Sequence, residues 1–565
     1  MYFEIEQQAV NSIKKAVKEF DYEIEEELKL EFPPNPELGD LASTICFAMA
    51  KKLRKSPNLV AEELVEKIEV PEVFKEVKPV GPYVNFFINY DNFSKTFLNT
   101  IDEKYGQLKK VNEKIVLEHT SANPNGPLHI GHIRNAIIGD SLTRLLKTAG
   151  RDVETQYYVN DMGRQIAMIV FGIEDLNLNI QNQAADKIDH KVGQLYFKVN
   201  EEVNENQELV SNVDAKIKAY EAGNDETLNE LFEKVVNNCL TGVKETLARI
   251  HIKHDKFVWE GHFIRNGDVD KVVNELQDAG FLRENEVLYL DLIDFEIEKE
   301  LVLRRSDGTS LYATRDLAYH KWKGTQGDVV LDVLGSDHKL AIEQLSKGLE
   351  IMHDKVPEVI FYEFITLPEG SMSTRKGVFI SVDDLIDEAV KRAKDEINSR
   401  RLDLSDDEVD KISEEIGIGA IRFYIAKLSP EKHITFKWDD ALSFERGCAS
   451  IQYAHARASK LLKKSEKNIS KLVIDDAWKP NENEKDLIRV LTKFTQVIED
   501  SANKKRVHLI TQYCQDLANA FNKFYKSEQV IGSPLEDTRL VLVEKSKITL
   551  KNALNLLGVS APDKM

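Results

Sequence analysis

One segment decides the fold that we expect for this chain: residues 114–160, KIVLEHTSANPNGPLHIGHIRNAIIGDSLTRLLKTAGRDVETQYYVN. Its short apolar run Ile115–Leu117 predicts a strand, which leads into a loop rich in proline, glycine and asparagine. A long helix is expected from about Leu128 to Ala149, ended by Gly150, and a second strand follows it. Strand, helix and strand in so short a stretch predict a βαβ unit and therefore a doubly wound parallel sheet.

The bulk properties of the chain limit its class. Its 565 residues are too many for one ordinary core, so several domains are expected. No segment reaches the roughly 20 apolar residues of a membrane span, and the first residues lack the pattern of a signal peptide. The four cysteines form no CxxC pair, which argues against a disulfide framework or a zinc ribbon and favours the cytoplasm. The net charge of −20 argues against non-specific nucleic-acid binding, although a local basic face can still bind phosphate.

Changes of pattern along the chain predict three domains. Residues 1–108 combine amphipathic helices with a strand of period-two alternation, PYVNFFINY, and predict a small α+β domain. Residues 112–405 hold the βαβ unit and further strand-like runs, GDVVLDVLG and EVIFYEFIT, interrupted by an acidic helical insertion at about 172–260. From 410 to 565 nearly every segment is helical, so we expect an all-α C-terminal domain.

The paired histidines His129 and His132 allow several interpretations. A zinc site would need a third ligand and a carboxylate base, and neither lies nearby in sequence. An ordinary pair of histidines at a helix start is the simplest alternative. Their position between the first strand and its helix favours phosphate binding instead, because helix N–H groups and the helix dipole attract anions there. Gly131 has no Cβ and would leave room for a flat base. We therefore expect nucleotide binding.

A second segment, EGSMSTRKGVFISVDDLIDEA at 369–389, has the composition of a polyphosphate loop. Its glycines bracket hydroxyl and cationic side chains, and such groups stabilise the charge that grows on a leaving phosphate. A solvated basic turn is the alternative. The loop residues expected to hold ATP are Ser373, Arg375 and Lys376.

These motifs together resemble the class I aminoacyl-tRNA synthetases, and among them the arginyl-tRNA synthetases. HIGH at 129–132 and the KMSKS-like SMSTR at 371–375 carry the class resemblance. YVNDMGRQ, YATRD, IQYAHAR and the C-terminal TLKNALNLLGVSAPDKM sharpen it, as do NPELGDLAS and GPYVNFFIN near the start. Ser371 and Thr374 stand where an ideal KMSKS has lysines, so we assign the cationic role to Arg375 and Lys376.

The resemblance implies the function: ATP-dependent activation of L-arginine and its transfer to the terminal adenosine of tRNA(Arg). It implies a Rossmann-like catalytic domain, an additional N-terminal domain and an anticodon-binding helical domain. His129, His132, Arg375 and Lys376 would be the catalytic residues, and Gly131 and Ser373 would join them in binding ATP. Mg²⁺ is expected to arrive with ATP, with no tightly bound metal. A cytoplasmic monomer that binds neither DNA nor membrane, and that needs tRNA to activate arginine, is also implied.

The residues that match the arginine pocket of this family are Glu118, Asn123, His129, Tyr312, Asp316 and Asp337. Carboxylates suit this role because a guanidinium is always charged and presents donors in a planar fork. Tyr312 and Asp316 are four residues apart, so a helix would place them on one side. For any one of these acids, a capping or surface position is the simpler interpretation.

Six residues match family positions that contact tRNA: Tyr83, Asn85, Tyr453, Arg457, Tyr525 and Met565. Tyr453 and Arg457 lie at i and i+4 on a lysine-rich helix, which suits base stacking and phosphate contact. Core packing or an ordinary strand position is the alternative for several of them.

Other functions remain possible at this point. A synthetase-like protein that binds RNA without catalysis is disfavoured by the intact HIGH segment and the acidic pocket. A sibling synthetase for another amino acid is disfavoured by Tyr312, Asp316 and the N-terminal domain. A nucleotidyltransferase can share the HxGH pattern but would not need the helical C-terminal domain.

Overall fold

A computed structural model describes residues 2–24, 28, 30–206, 208–366, 380–400, 404–443 and 445–565. The predicted phosphate-loop residues Ser371, Ser373, Thr374, Arg375 and Lys376 lie outside these ranges. None of the described helices is long and apolar enough to cross a membrane.

The N-terminal part is an antiparallel sheet covered by helices, as the alternating pattern predicts. Its sheet has the order β1-β2-β4-β3. The strands are β1 (Leu30–Glu31), β2 (Leu41–Ser43), β3 (Phe74–Val80) and β4 (Tyr83–Ile88), and the helices are α1 (Tyr2–Val17), α2 (Ile45–Leu53), α3 (Pro57–Lys67) and α4 (Tyr90–Thr100). Phe86 and Phe97 are fully buried in its core.

The βαβ unit lies at the centre of a five-stranded parallel sheet with the order β12-β11-β5-β6-β7. In chain order this is 5-4-1-2-3, the doubly wound arrangement, so the predicted fold class is confirmed. The strands are β5 (Lys114–Glu118), β6 (Asp152–Val159), β7 (Lys256–Trp259), β11 (Val329–Gly335) and β12 (Glu358–Tyr362).

The central helix α5 (Ile130–Thr148) is slightly shorter than predicted at both ends. It begins one residue after His129, because His129 is its extended N-cap residue, with φ −104° and ψ 169°. It ends before Gly150, which has φ +87° and whose absent Cβ would collide with the carbonyl of Lys109. Only glycine fits this left-handed, crowded position comfortably.

The helical insertion leaves the sheet after β6 and returns at β7. Its helices are α6 (Arg164–Glu174), α7 (Ile188–Glu205), α8 (Leu209–Ala222) and α9 (Glu226–Arg249). The last five residues of the range predicted for it, 256–260, instead form β7 and the first residue of α10 (Glu260–Arg265). This difference matters for the site, because Glu260 then follows a strand of the central sheet.

Between α10 and β11 the chain forms a small antiparallel sheet that the sequence patterns do not predict. Its strands are β8 (Leu282–Glu284), β9 (Leu288–Leu290) and β10 (Leu301–Arg304), with α11 (Asp268–Asp278) before them and α12 (Tyr312–Gly324) after them. Helix α13 (Lys339–Ile351) follows β11 and packs against α12. Strands of three or four residues contain too few alternations for a pattern to distinguish them from turns.

The C-terminal part is helical, as predicted. A two-stranded parallel pair, β13 (Ile365–Thr366) and β14 (Ile434–Thr435), joins it to the catalytic part. Its helices are α15 (Asp406–Ala426), α16 (Trp438–Ala441), α17 (Cys448–Lys464), α18 (Glu482–Thr492), α19 (Phe494–Lys504), α20 (His508–Ser527) and α21 (Glu536–Leu556). Helix α14 (Val382–Arg400), in the range predicted for the catalytic domain, packs against α15.

Candidate active site

Polar residues follow the carboxyl ends of four neighbouring parallel strands. Glu118 ends β5, Asp161 follows β6, Glu260 follows β7, and Asp337 follows β11. Carboxyl ends of parallel strands meet at one edge of the sheet, where doubly wound folds bind their ligands. The topology therefore places several carboxylates along one crevice.

The chain turns sharply between Glu118 and the histidines. Thr120 has φ +74°, an unusual conformation for a β-branched residue. Asn135 of α5 stabilises the turn by accepting the Thr120 N–H at 2.8 Å. Its amide also donates to the carbonyl of Val333 in β11 at 2.9 Å. Residues held in such conformations cluster at functional sites, where the surrounding structure fixes them.

His129 and His132 form a capping pair at the start of α5. The Nδ1 of His129 accepts the N–H of Gly131 at 3.0 Å, and the Nδ1 of His132 accepts the N–H of His129 at 3.3 Å. Their rings stack with centroids 3.7 Å apart. A Cβ at Gly131 would lie 2.8 Å from the His129 ring, so glycine leaves the space that this ring fills.

This arrangement keeps both imidazoles neutral. Burial lowers the pKa of His129, and burial together with His129 lowers the pKa of His132 to about 3. Because each Nδ1 accepts a backbone N–H, the ring proton of each belongs on Nε2. The two rings can therefore act as neutral Nε2–H donors beside the positive end of the α5 dipole.

The backbone around His129 pairs with the residues that follow the predicted phosphate loop. Ile130 donates its N–H to the carbonyl of Ile380 at 3.2 Å, and Val382 donates to the carbonyl of Leu128 at 2.8 Å. His129 and Ser381 form the bridge between these two hydrogen bonds. The structure thus brings the residues directly after that loop to the HIGH segment, whereas Ser373, Arg375 and Lys376 are outside the described residues.

Asp316 faces the crevice from the second turn of α12. Its side chain is half-buried, and its carboxylate has no hydrogen bond or ion pair with any described residue. Burial raises the pKa of this carboxyl, although His320 opposes the effect. Tyr312, one turn earlier, is 55% exposed, and its ring lies 5.7 Å from the Arg315 guanidinium. A half-buried carboxylate without a partner has oxygens available to accept hydrogen bonds from a ligand.

Glu260 is a second carboxyl group with an unpaired oxygen, and the sequence analysis missed it. It is buried, and Arg315 donates to its Oε1 at 3.2 Å, whereas its Oε2 has no partner among the described residues. Burial raises the pKa of Glu260 to about 8, against the lowering effect of Arg315 and with a further rise from Asp161 and Asp316. Asp161 holds the start of α10 in place by accepting the Gly261 N–H at 2.9 Å.

Glu118 is already neutralised, by a lysine that the sequence analysis also missed. The buried Lys323 of α12 donates to Glu118 Oε2 at 2.6 Å and to Asp332 of β11. The ion pairs with these two acids raise the pKa of Lys323 despite its burial, so it stays charged. The sequence does indicate such a cation: Asp332 is a charged residue within the otherwise apolar strand VVLDVLG, and a buried charge requires a partner.

This network also leaves no place for a metal ion between Glu118, His320 and Asp332. Glu118, His320 and Asp332 offer ligand atoms within 4.8 Å of one another. The ammonium of Lys323, however, lies between the two carboxylates and makes the contacts that a metal would make. These residues therefore fit an internal ion pair rather than a resident metal.

The remaining predicted pocket residues are at the surface of the crevice. Asn123 is exposed, and its Nδ2 donates to Gln165 Oε1 at 3.1 Å. Asp337 is exposed too, with its carboxylate 3.7 Å from His338 Nε2. Both are accessible to a ligand, and their roles stay predictions.

Two of the predicted tRNA contacts lie on β4 and differ in exposure. Tyr83 is 36% exposed and packs edge-on against the exposed Phe47, with ring centroids 5.6 Å apart. Asn85 is buried, and its Nδ2 donates to the carbonyl of Leu38, in the loop before β2 that covers it. A direct contact of Asn85 with tRNA would require that loop to move, so Tyr83 is the residue that this strand presents.

The other predicted tRNA contacts lie in the helical C-terminal part. The Arg457 guanidinium lies 4.6 Å from the ring of Tyr453 and 4.7 Å from the ring of Tyr525, and both rings are partly exposed. Met565 is half-buried and packs against the core that contains Ala449, one turn before Tyr453. The structure therefore brings three of these residues into one exposed cation–π stack, of the kind on which unpaired bases can stack.

Comparisons with known proteins agree with this architecture. The family models "tRNA synthetases class I (R), catalytic domain", "DALR anticodon binding domain" and "Arginyl tRNA synthetase N terminal domain" match residues 96–438, 451–565 and 7–88. The arginine–tRNA ligase of Methanobrevibacter smithii is 66% identical, and that of Methanothermobacter thermautotrophicus is 58% identical, each over the full length of both chains.

Solved structures give the same result. The arginyl-tRNA synthetase of Thermus thermophilus superposes with a TM-score of 0.85 at 27% identity, over 99% of this chain and 100% of that one. The chain therefore belongs to the arginyl-tRNA synthetases, a family of class I aminoacyl-tRNA ligases.

Proposed function

We propose that the crevice at the carboxyl edge of the central sheet joins L-arginine to ATP and then to tRNA(Arg). A carboxylate oxygen of arginine attacks the α-phosphorus, the bond to the pyrophosphate oxygen breaks, and arginyl-adenylate and pyrophosphate form. A hydroxyl of the terminal tRNA adenosine then attacks the arginyl carbonyl, and AMP leaves. The observation that carries the proposal is the combination of neutral Nε2–H donors with unpaired carboxylate oxygens along one crevice.

The ATP half of the site is assigned to the start of α5. His129 and His132 hold phosphate oxygens through Nε2–H, and the dipole of α5 adds to the attraction. Arg375, Lys376 and Ser373, which the sequence motif assigns to ATP, complete the set and stabilise the departing pyrophosphate. Losing one such donor typically costs about 2.7–4 kcal/mol of barrier. Mg²⁺ is carried by the ATP phosphates and belongs to the substrate.

The arginine half is assigned to the acidic part of the crevice. Asp316 and the unpaired Oε2 of Glu260 accept the guanidinium N–H groups, and Tyr312 covers it from the surface. Glu118, whose oxygens already accept hydrogen bonds from Lys323 and Ser121, is assigned to the wall of this half rather than to the guanidinium. Asn123 and Asp337 lie at the exposed edge of this part of the crevice. Because the guanidinium is a planar fork of donors, two carboxylates at different angles can bind it together.

The tRNA is assigned to two surfaces outside the crevice. The stack of Tyr453, Arg457 and Tyr525, with Met565 nearby, receives the anticodon loop, and Tyr83 of the N-terminal sheet meets the outer corner. A monomer is the working unit that the family resemblance implies. The cytoplasm is the compartment that fits, because aminoacylated tRNA is consumed there by translation.

ATP–pyrophosphate exchange tests the proposal directly. The chain should catalyse exchange with arginine when tRNA(Arg) is present, and far less with citrulline, whose neutral urea group has the same shape without the charge. Exchange with lysine or glutamate but not arginine would contradict the substrate assignment. No exchange with any amino acid in the presence of tRNA would favour an RNA-binding protein without catalysis.

A further inference from the structure

The helical insertion supports the backbone just before His129. Gly193 of α7 packs so closely on Gly126 that a Cβ at Gly126 would lie 3.2 Å from the Gly193 Cα. The thiol of Cys239 in α9 donates to the Gly126 carbonyl at 3.2 Å. Two helices of the insertion therefore contact the loop that leads into the HIGH segment.

The same two helices also contact the start of α14. Asp383, in the first turn of α14, is contacted by side chains from α9 and from the N-terminal end of α7. Thr246 donates to it at 3.0 Å, and His190 Nε2 lies 3.0 Å from its Oδ2. We call this group the Asp383 cluster; it consists of Lys187, Asp189, His190, Thr246 and Asp383.

Lys187 is the centre of the Asp383 cluster. Its ammonium lies 2.8 Å from Asp383 Oδ2 and 3.2 Å from Asp189 Oδ2, and it also donates to the Thr246 hydroxyl. Asp189 is fully buried against Gly242 of α9, so the lysine connects a fixed point of the insertion to α14. Although burial opposes it, the contacts from His190 and Lys187 lower the pKa of Asp383 to about 2. The carboxylate is therefore ionised and paired at any physiological pH.

Asp383 is only a few residues along the chain from the backbone that pairs with the start of α5, where ATP is assigned. Ser381, two residues earlier, is buried and forms the bridge to His129. The hydrogen bonds of Ile380 and Val382 flank this bridge, so the backbone at 380–382 is held directly against residues 128–130. A shift of the first turn of α14 is consequently transmitted to the N-cap of α5.

We propose that Lys187 is a positioning residue for adenylate formation. By holding Asp383 against Asp189, it keeps residues 380–382 paired with residues 128–130. This pairing fixes the two HIGH histidines relative to the ATP phosphates. The proposal rests on the function proposed above, and it gives the insertion a role in the chemistry of the HIGH segment.

The test compares Lys187→Met with a matched control in the same insertion. Lys216 of α8 also bridges two carboxylates, Glu174 at 2.7 Å and Asp175 at 2.8 Å, and its side chain is 18% exposed against 23% for Lys187. It lies away from α14, so Lys216→Met removes a comparable ion pair without touching the Asp383 cluster. Lys187→Arg serves as the conservative variant, because it keeps the charge.

Two readouts are used on the full chain. Hydrogen–deuterium exchange should show faster exchange of the Ile130 and Val382 amides in Lys187→Met. ATP–pyrophosphate exchange with tRNA and arginine present should be slowed about tenfold or more, since a displacement of about 1 Å can cost a hundredfold in rate. The KM for ATP should rise while that for arginine changes little. Lys216→Met should match the wild type in both readouts, and Lys187→Arg should recover most of the activity.

Several outcomes would overturn the inference. Wild-type exchange rates in Lys187→Met, or an equal loss in Lys216→Met, would show that Lys187 has only a general structural role. If Lys187→Met does not fold, Asp383→Asn replaces it, because the amide has the same shape and lacks the charge; normal kinetics there would contradict the proposal. A wild-type chain without arginine-dependent exchange would instead refute the proposed function, so the two failures are distinguishable.

Discussion

The raised pKa of Glu260 predicts that arginine binding releases a proton. The carboxyl has a pKa of about 8 in the free protein, whereas a guanidinium ligand requires the charged form. At pH 7 roughly nine-tenths of the molecules would therefore have a protonated Glu260. Arginine binding must first remove that proton, which costs about 1.4 kcal/mol for each pH unit below 8. The apparent affinity for arginine should therefore rise about fivefold between pH 7 and pH 8.

Calorimetry in buffers with different ionisation enthalpies measures the proton release. The wild-type chain, with tRNA bound, should release about 0.9 proton per arginine at pH 7 and about half a proton at pH 8. The Glu260→Gln variant is the control, because the amide keeps the shape and cannot titrate. It should bind arginine more weakly, without this proton release. An equal release in Glu260→Gln, or none in the wild type, would refute the assignment of Glu260 to the guanidinium.

Three further predictions follow from the same site. Lys323→Met leaves the buried Glu118 without a cation and Asp332 with only His320, so urea denaturation should show a loss of about 3–5 kcal/mol in unfolding free energy; a loss below about 1 kcal/mol would contradict the buried ion pair. Gly131→Ala forces the His129 ring to move, so pyrophosphate exchange should slow by about tenfold or more while the melting temperature changes little; an unchanged rate would show that the ring position does not matter. Burial lowers the pKa of His132 in the folded protein to about 3, below the usual 6.5, so the stability that its neutral ring contributes is complete above pH 6.5 and is lost as the pH falls towards 3. His132→Gln should therefore lose less unfolding free energy than the wild type over that pH range. Parallel curves of unfolding free energy against pH would contradict the lowered pKa.

The catalytic fold could be predicted because its signals are local. The strand at 114–118, the capped start of α5 and the terminating Gly150 are each encoded within a few residues, and the handedness of βαβ units fixes the sheet. The HIGH segment was recognised for the same reason. What the sequence did not provide is which side chains pair across the crevice.

Glu260 and Lys323 illustrate that limit. Lys323 contacts Glu118, which is distant in sequence, and only the parallel pairing of β5 with β11 brings their surroundings together. Glu260 was placed in the insertion, because the four-residue strand before it is too short to be recognised by periodicity. Both are charged groups whose burial is a property of the tertiary structure.

Asn85 shows a different limit. Period-two alternation correctly places Tyr83 and Asn85 on one face of β4, and that face was expected to be open to tRNA. The loop containing Leu38 covers half of it, so one residue is exposed and the other is buried. A strand pattern specifies the face of a side chain, and other parts of the chain decide what covers that face.

The most direct test of the account is the pair of Michaelis constants of Asp316→Asn in ATP–pyrophosphate exchange with tRNA present. Asp316 is the half-buried carboxylate without a described partner, so replacing it with a neutral amide should remove a charged hydrogen bond to the guanidinium. Such a bond is worth about 1.5–3 kcal/mol, so the KM for arginine should rise by roughly ten- to a hundredfold. The KM for ATP should change less than about threefold, because ATP binds at the start of α5. An equal rise in both constants would contradict the division of the crevice into an arginine half and an ATP half.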